Sequence, residues 1–257
     1  MTGGSGGKIT HVGSRIRILI ASPLGHVVAM PLESSFDDVT VEVAVDQDEF
    51  VRGIAGRVRF DVVAADLIWN RPTMEWTFDG LDAIDALRQA DRLAPVLLAT
   101  QGHSMERDHL EEARLRPEVS GVIAKSDGLM PLMNAIRTVA LGQRLSVGES
   151  TGRRVAPLYE LFVGRRGHTA GRLAGAIASG NATDTASLAV AAKVSPNTAN
   201  KLTSHYLGPI ITQRGEHDER LPMSQAAVYR WCGLHARYIV SWCRRHGHSD
   251  VLGTLPS

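Results

Sequence analysis

Val62-Val63-Ala64-Ala65-Asp66 is an apolar run closed by one acid, and the pattern returns as Val96-Leu97-Leu98-Ala99-Thr100 and Val122-Ile123-Ala124-Lys125. Runs this short suit strands rather than helices, and their continuous apolarity suits strands buried on both faces. The full series of apolar runs lies at 16–21, 39–45, 60–65, 95–99 and 119–124. The intervening stretches have helical spacing. Leu81, Ile84 and Leu87 form one stripe, and Leu132, Ile136 and Val139 form another within residues 129–140. Pro31 should interrupt any helix after the first run. This alternation predicts an α/β fold, a doubly wound, parallel five-stranded sheet. The carboxyl ends of such strands border the crevice where ligands bind, so Asp66, Thr100 and Lys125 should converge on one site.

The first run, Ile16-Arg17-Ile18-Leu19-Ile20-Ala21, ends in Ser22-Pro23. The order and spacing of Asp66, Thr100 and Lys125 within residues 14–145 resemble a response-regulator receiver domain. The resemblance implies that Asp66 matches the phosphoacceptor, Thr100 the hydroxyl that follows the phosphoryl group, and Lys125 the cation that pairs with it. Ser22-Pro23 stands where a receiver carries two acids for magnesium. Phosphoryl transfer to a carboxylate needs its developing charge neutralised, mostly by a divalent ion. With two ligands gone, the expectation is an atypical receiver with no cofactor, its Mg2+ site lost, working independently of phosphorylation. A conventional phosphorylated regulator acting through Asp66 is the rival. The stretch 67–79, ahead of the glycine matched to Gly80, is longer than receivers usually have, and carries Trp69, Trp76 and Phe78. It reads as a loop for a small-molecule effector or a partner surface, or else as a cap on the domain's own core.

In the second half, residues 184–202 read Asp-Thr-Ala-Ser-Leu-Ala-Val-Ala-Ala-Lys-Val-Ser-Pro-Asn-Thr-Ala-Asn-Lys-Leu. Thr183 or Asp184 suits a helix N-cap, a tight connection follows at Lys193-Val194, and Ser195-Pro196 gives an N-cap with a first-turn proline for a second helix. Ala189, Val194, Ala199 and Leu202 fall where a helix-turn-helix buries small residues. The layout resembles the helix-turn-helix of LuxR-type regulators, departing from it at Lys193, where glycine is common. The resemblance implies a recognition helix at 196–207 with Asn197, Thr198, Asn200, Lys201, Ser204 and His205 toward DNA. Asparagine reads adenine, lysine reads guanine or holds phosphate, and a threonine at the helix start suits a phosphate.

Residues 1–150 hold 15 Lys+Arg against 21 Asp+Glu, and residues 151–257 hold 13 against 6. A basic half joined to an acidic one suggests that the basic half meets a polyanion. Arg153, Arg154, Arg165, Arg166 and Arg172 sit around a short stretch with helical character at 157–163, positioned for phosphates or for solvent. Residues 213–222 read as a polar loop, and 223–246 as one long helix with Val228, Trp231, Leu234, Tyr238 and Trp242 along it, a core stripe or a dimer seam. Cys232 and Cys243 are too far apart on one helix to bridge. No apolar run nears the ~20 residues a membrane span needs, and residues 1–8 lack a leader's apolar core, so a cytoplasmic location is expected. The phosphate-loop likeness of 3–8 fails at Ile9, the scattered histidines lack metal-ligand spacing, and His103 with Ser104 has no nucleophile elbow, so neither a metal site nor an enzyme is expected.

The expected organisation is a flexible tail at 1–13, a receiver-like domain at 14–145, a connecting segment at 146–168 and a helix-turn-helix domain at 169–257. The expected function is sequence-specific binding of double-stranded DNA by a homodimeric transcriptional regulator. Rivals are a protein-binding adaptor and an RNA-binding, antiterminator-like regulator.

Overall fold

The structure, a computed structural model, describes residues 15–56, 58–70, 76–146 and 156–253. The tail read at 1–13, Arg153 and Arg154, and the middle of the Trp-bearing stretch lie outside them. Strands β1 (Ile16–Ala21), β2 (Val39–Ala44), β3 (Val62–Asp66), β4 (Val96–Thr100) and β5 (Val119–Ala124) form one parallel sheet in the order β2-β1-β3-β4-β5. This is the second common doubly wound order, which has its switch point between β1 and β3. β3 and β4 are buried at every position, as their unbroken apolarity required.

Helices α1 (Gly25–Ser35), α2 (Gln47–Ala55), α3 (Gly80–Gln89), α4 (Arg107–Ala113) and α5 (Leu129–Ala140) cover both faces. Ile18 and Ile20 of β1 point to a core shared with Leu32, Leu132 and Ile136. Leu19 and Ala21, which alternate with them in sequence, point to the other core with Phe50, Leu81 and Ile84, following the two-residue period of a strand. Pro31 does not interrupt α1, contrary to expectation. The carbonyl that loses its donor to Pro31 is that of Val27, which is exposed, so water can satisfy it.

The second half contains α6 (Leu158–Leu161), α7 (Gly164–Ala178), α8 (Thr185–Ala191), α9 (Pro196–Asn200), α10 (Leu207–Gln213), α11 (Gln225–Leu234) and α12 (Ala236–Arg245). α7 begins inside the segment read as a connector, and Ala170, Leu173 and Ala174 on it are core. Its Gly171 lets α12 approach closely: a Cβ there would lie 2.4 Å from the Trp242 ring.

Two helix readings need correction. Residues 223–246 are two helices broken at His235 (φ −103°, ψ 11°), where the His235 amide closes α11 on the Trp231 carbonyl. The break lets the His235 ring reach carboxylates outside the helix, described below. The recognition helix is also not uniform: after α9 the chain widens into a π-type turn at Leu202–Tyr206 before α10, because Gly208 and Pro209 follow. A Cβ on Gly208 would lie 1.8 Å from the Thr203 carbonyl oxygen, so only glycine fits that turn.

Candidate functional site

The three strand-end residues meet at the carboxyl edge of the sheet. Lys125 Nζ lies 2.6 Å from Asp66 Oδ1, and the Ser22 hydroxyl donates to Asp66 Oδ2 at 2.7 Å. Thr100 is buried beside them, its hydroxyl donating at 3.5 Å to the Ile123 carbonyl rather than to Asp66. Burial pushes the Asp66 carboxyl above its ordinary range, and the attraction of Lys125 and the Ser22 hydrogen bond only partly offset it. Gly80 lets the start of α3 pack against the end of β3, since a Cβ there would lie 2.9 Å from the Asp66 backbone carbonyl oxygen. The turn after β4 is held by buried Glu106, whose carboxylate accepts from the Gln101 and His103 amides at 3.0 Å.

This donor set does not fit a magnesium ion. Magnesium wants carboxylate oxygens and water in a near-octahedral shell. Here Asp66 is the one carboxylate closing a strand at this edge, its two oxygens are engaged by the Lys125 ammonium and the Ser22 hydroxyl, and Ser22-Pro23 supplies no acid beside it. Among the described residues no group of three His, Cys, Asp or Glu is placed to hold a metal.

The helix-turn-helix is built as its residues dictate. The Asp184 carboxylate accepts from the Ser187 amide at 2.8 Å and caps α8, and the Ser195 hydroxyl accepts from the Thr198 amide at 3.1 Å and caps α9, with Pro196 at its first turn. Lys193 takes φ +52°, the left-handed conformation glycine adopts more readily, and its ammonium lies 3.1 Å from Asp250. Ala189, Ala199 and Leu202 are buried, whereas Asn197, Asn200, Lys201, Ser204 and His205 are exposed and Thr198 is half-buried. All five exposed residues belong to one short stretch of α9 and the wide turn after it.

Sequence reasoning missed where much of the basic charge goes. Arg214, inside the stretch read as a polar loop, is fully buried: it donates to Asp108 of α4 at 2.7 Å, to the Ala156 carbonyl at 2.8 Å and to Glu216 at 3.0 Å. Arg245 donates two hydrogen bonds, at 2.6 and 2.8 Å, to Glu112, which also accepts from Arg116 and from the Tyr238 hydroxyl. Arg244 donates to the Trp76 carbonyl at 2.5 Å and pairs with Asp79 and Asp82 at the start of α3. His235 lies 2.5 Å from Asp108 and 3.3 Å from Glu216. Burial alone would lower its pKa, but the two carboxylates outweigh burial and raise it to about 9. The acidic half is thus a partner of the basic half. A sequence signal existed, in Asp79, Asp82, Asp85 and Asp108, Glu111, Glu112 at helical spacing opposite a C-terminal Arg-Arg pair, but sequence alone does not show which faces meet.

The Trp-bearing stretch belongs to the same contact. Trp69 and Phe78 are buried against each other (centroids 5.0 Å apart, edge-on) and against Phe50, so these two rings fill core space. Trp76 is half-buried, with the Arg237 guanidinium 5.9 Å above its ring. Trp76 and Asp79, at the end of this stretch, meet Arg237 and Arg244 of α12 in the same chain.

No family model matches the sequence, and no curated protein matches it. Among solved structures, the two-component response regulator RcsB in its DNA complex aligns over 84% of this chain and 97% of its own, at 14% identity and a TM-score of 0.48. A Francisella response-regulator receiver domain aligns over 50% of this chain and 98% of its own (18% identity, TM-score 0.38). An adenylate cyclase from Rhodopirellula baltica aligns over 49% of this chain and 88% of its own (17% identity, TM-score 0.41).

Proposed function

We propose that this chain is a cytoplasmic, sequence-specific DNA-binding regulator that acts as a homodimer, with a receiver-like domain that signals without metal-dependent phosphorylation. The observation that carries the reading is the polar face of α9 and its following turn, where Asn197, Asn200, Lys201, Ser204 and His205 are exposed together on a capped helix-turn-helix. An N-terminal half-helix presenting asparagine and lysine suits major-groove readout, and Thr198 at the start suits a phosphate. No described helix is long and apolar enough to cross a membrane, in keeping with this placement.

The phosphorylation-independent part rests on Asp66. A phosphoryl acceptor needs its developing charge neutralised, mostly by a metal beside it, and here Ser22-Pro23 stands at the end of β1 without an acid to hold one, while Lys125 and Ser22 tie down the Asp66 carboxylate. The paired carboxylate acts as a structural tie between β3 and β5. Fluorescence anisotropy of the full-length chain on its own upstream duplex, a scrambled duplex and single-stranded RNA, at one fixed salt, tests the function. Preference for the upstream duplex by ~10³ or more is the expected result. Equal weak binding to all three would refute it and favour the adaptor reading.

A further inference from the structure

The π-type turn in the middle of the recognition segment has a cause and a keeper. In a regular helix the His205 carbonyl would accept from the amide of residue 209, but that residue is Pro209, which has no N–H. The helix re-closes with a wider ring, in which the Leu207 amide donates to the Leu202 carbonyl five residues back. The orphaned His205 carbonyl is not left to solvent. Arg166, on the first turn of α7, donates to it from Nε at 2.8 Å and from Nη2 as well. Two guanidinium N–H groups from a neighbouring helix thus replace the amide that Pro209 removed.

We propose that Arg166 is a positioning residue for DNA recognition. Building on the DNA-binding function proposed above, its fork on the His205 carbonyl locks the wide turn and so fixes where Ser204 and His205 face. Single-turn π-bulges concentrate at functional sites because they re-aim side chains. This one lies between Lys201, on the exposed end of α9, and the buried Leu207, Ile210 and Ile211 that anchor α10. Without the lock the wide turn loses two hydrogen bonds while Pro209 still denies the His205 carbonyl its amide, so the aim of Ser204 and His205 relative to Asn197 and Asn200 is no longer fixed. The bland alternative is that Arg166, which is exposed, contributes only a charge to a backbone phosphate.

Pro209→Ala restores the missing donor, so it separates the two readings. The test uses the full-length chain and four proteins: wild type, Arg166→Ala, Pro209→Ala and the double variant. Anisotropy on the preferred and scrambled duplexes is read over a salt series, with melting temperatures measured without DNA. Arg166→Ala should lose about tenfold or more on the preferred duplex and little on the scrambled one, and the double variant should regain melting temperature but not duplex preference, because the restored amide satisfies the His205 carbonyl by favouring regular helix over the wide turn. Melting temperatures should therefore be coupled, with Arg166→Ala costing less when residue 209 is alanine. Equal losses on both duplexes and a salt slope shallower by about one would overturn the inference in favour of a phosphate contact. A wild type without duplex preference would sink the DNA-binding reading, and the melting temperatures would then decide the lock alone: additive values reject it, coupled values retain it.

Discussion

Arg245→Met should separate the interface's ionic core from its apolar packing. The side chain keeps most of the arginine's length but removes the guanidinium that donates twice to Glu112, a carboxylate with no solvent exposure. Removing one partner of a buried pair typically costs ~3–5 kcal/mol, because a charge is left in the interior without its counter-ion. Glu112 is not wholly abandoned, since Arg116 stays at 2.6 Å and the Tyr238 hydroxyl at 2.8 Å, so the expected cost lies at the low end, about 3 kcal/mol. For a chain of this size that corresponds to a fall of roughly 6–12 °C in melting temperature. Urea unfolding should show the same loss as a lower midpoint at unchanged slope. The double variant Arg245→Met with Glu112→Met should recover part of it, because an apolar pair can replace a buried ion pair at little net cost, while Arg116 and the buried Tyr238 hydroxyl lose their acceptor. A loss below about 1 kcal/mol for the single variant, additive with that of Glu112→Met, would refute the claim that this pair is desolvated and coupled.

Other outcomes follow from the same contacts. Burial pushes the Glu112 carboxyl up, but Arg245 and Arg116 outweigh it and hold the group below its ordinary range; its stabilisation is therefore present above the unfolded-chain value and fades as pH falls through the folded-state range, visible as an acid transition that Glu112→Gln shifts. His235 behaves oppositely: raised from 6.5 to about 9, it stabilises fully below pH 6.5 and loses that contribution as pH climbs toward 9, at most about 3 kcal/mol, and His235→Gln should flatten this alkaline loss in urea titrations. Asp66→Asn should leave DNA affinity within about threefold, under 1 kcal/mol, and a collapse comparable to losing the recognition segment would show that the carboxylate carries a signal. Asn200→Ala should cost about 1–3 kcal/mol on the preferred duplex while sparing scrambled DNA, and Lys201→Ala should be checked for the shallower salt dependence of a phosphate contact.

The sheet was legible because its central strands β3 and β4, buried on both faces, have little choice of residue and the edge strands repeat their apolar runs: all five runs became strands, and Leu81, Ile84 and Leu87 or Leu132, Ile136 and Val139 became the buried faces of α3 and α5. The helix caps at Asp184 and Ser195 were legible for the same reason, since each satisfies a local backbone group. What could not be read were features fixed by distant partners. Arg214 looked like part of a solvated loop because, beyond its neighbour Glu216, the groups that bury it are 106 residues away at Asp108 and 103 away at Glu111. His235 looked like one position in a continuous helix because nothing local marks the break. Pro31 misled in the other direction, as its penalty depends on whether the Val27 carbonyl can reach water. Pro209 was visible throughout, but the consequence of its missing amide depends on Arg166, on another helix.

That residues 196–206 read the sequence of double-stranded DNA is tested most directly by selecting duplexes from a random pool, which needs no operator to be chosen in advance. The full-length chain and its Asn200→Ala, Lys201→Ala double variant are run side by side. The wild type should converge on one motif, with two related half-sites if it binds as a dimer, and the variant should lose the motif while keeping weak, salt-sensitive binding. A pool that stays random with the wild type, or an identical motif from both proteins, would contradict sequence readout by this segment.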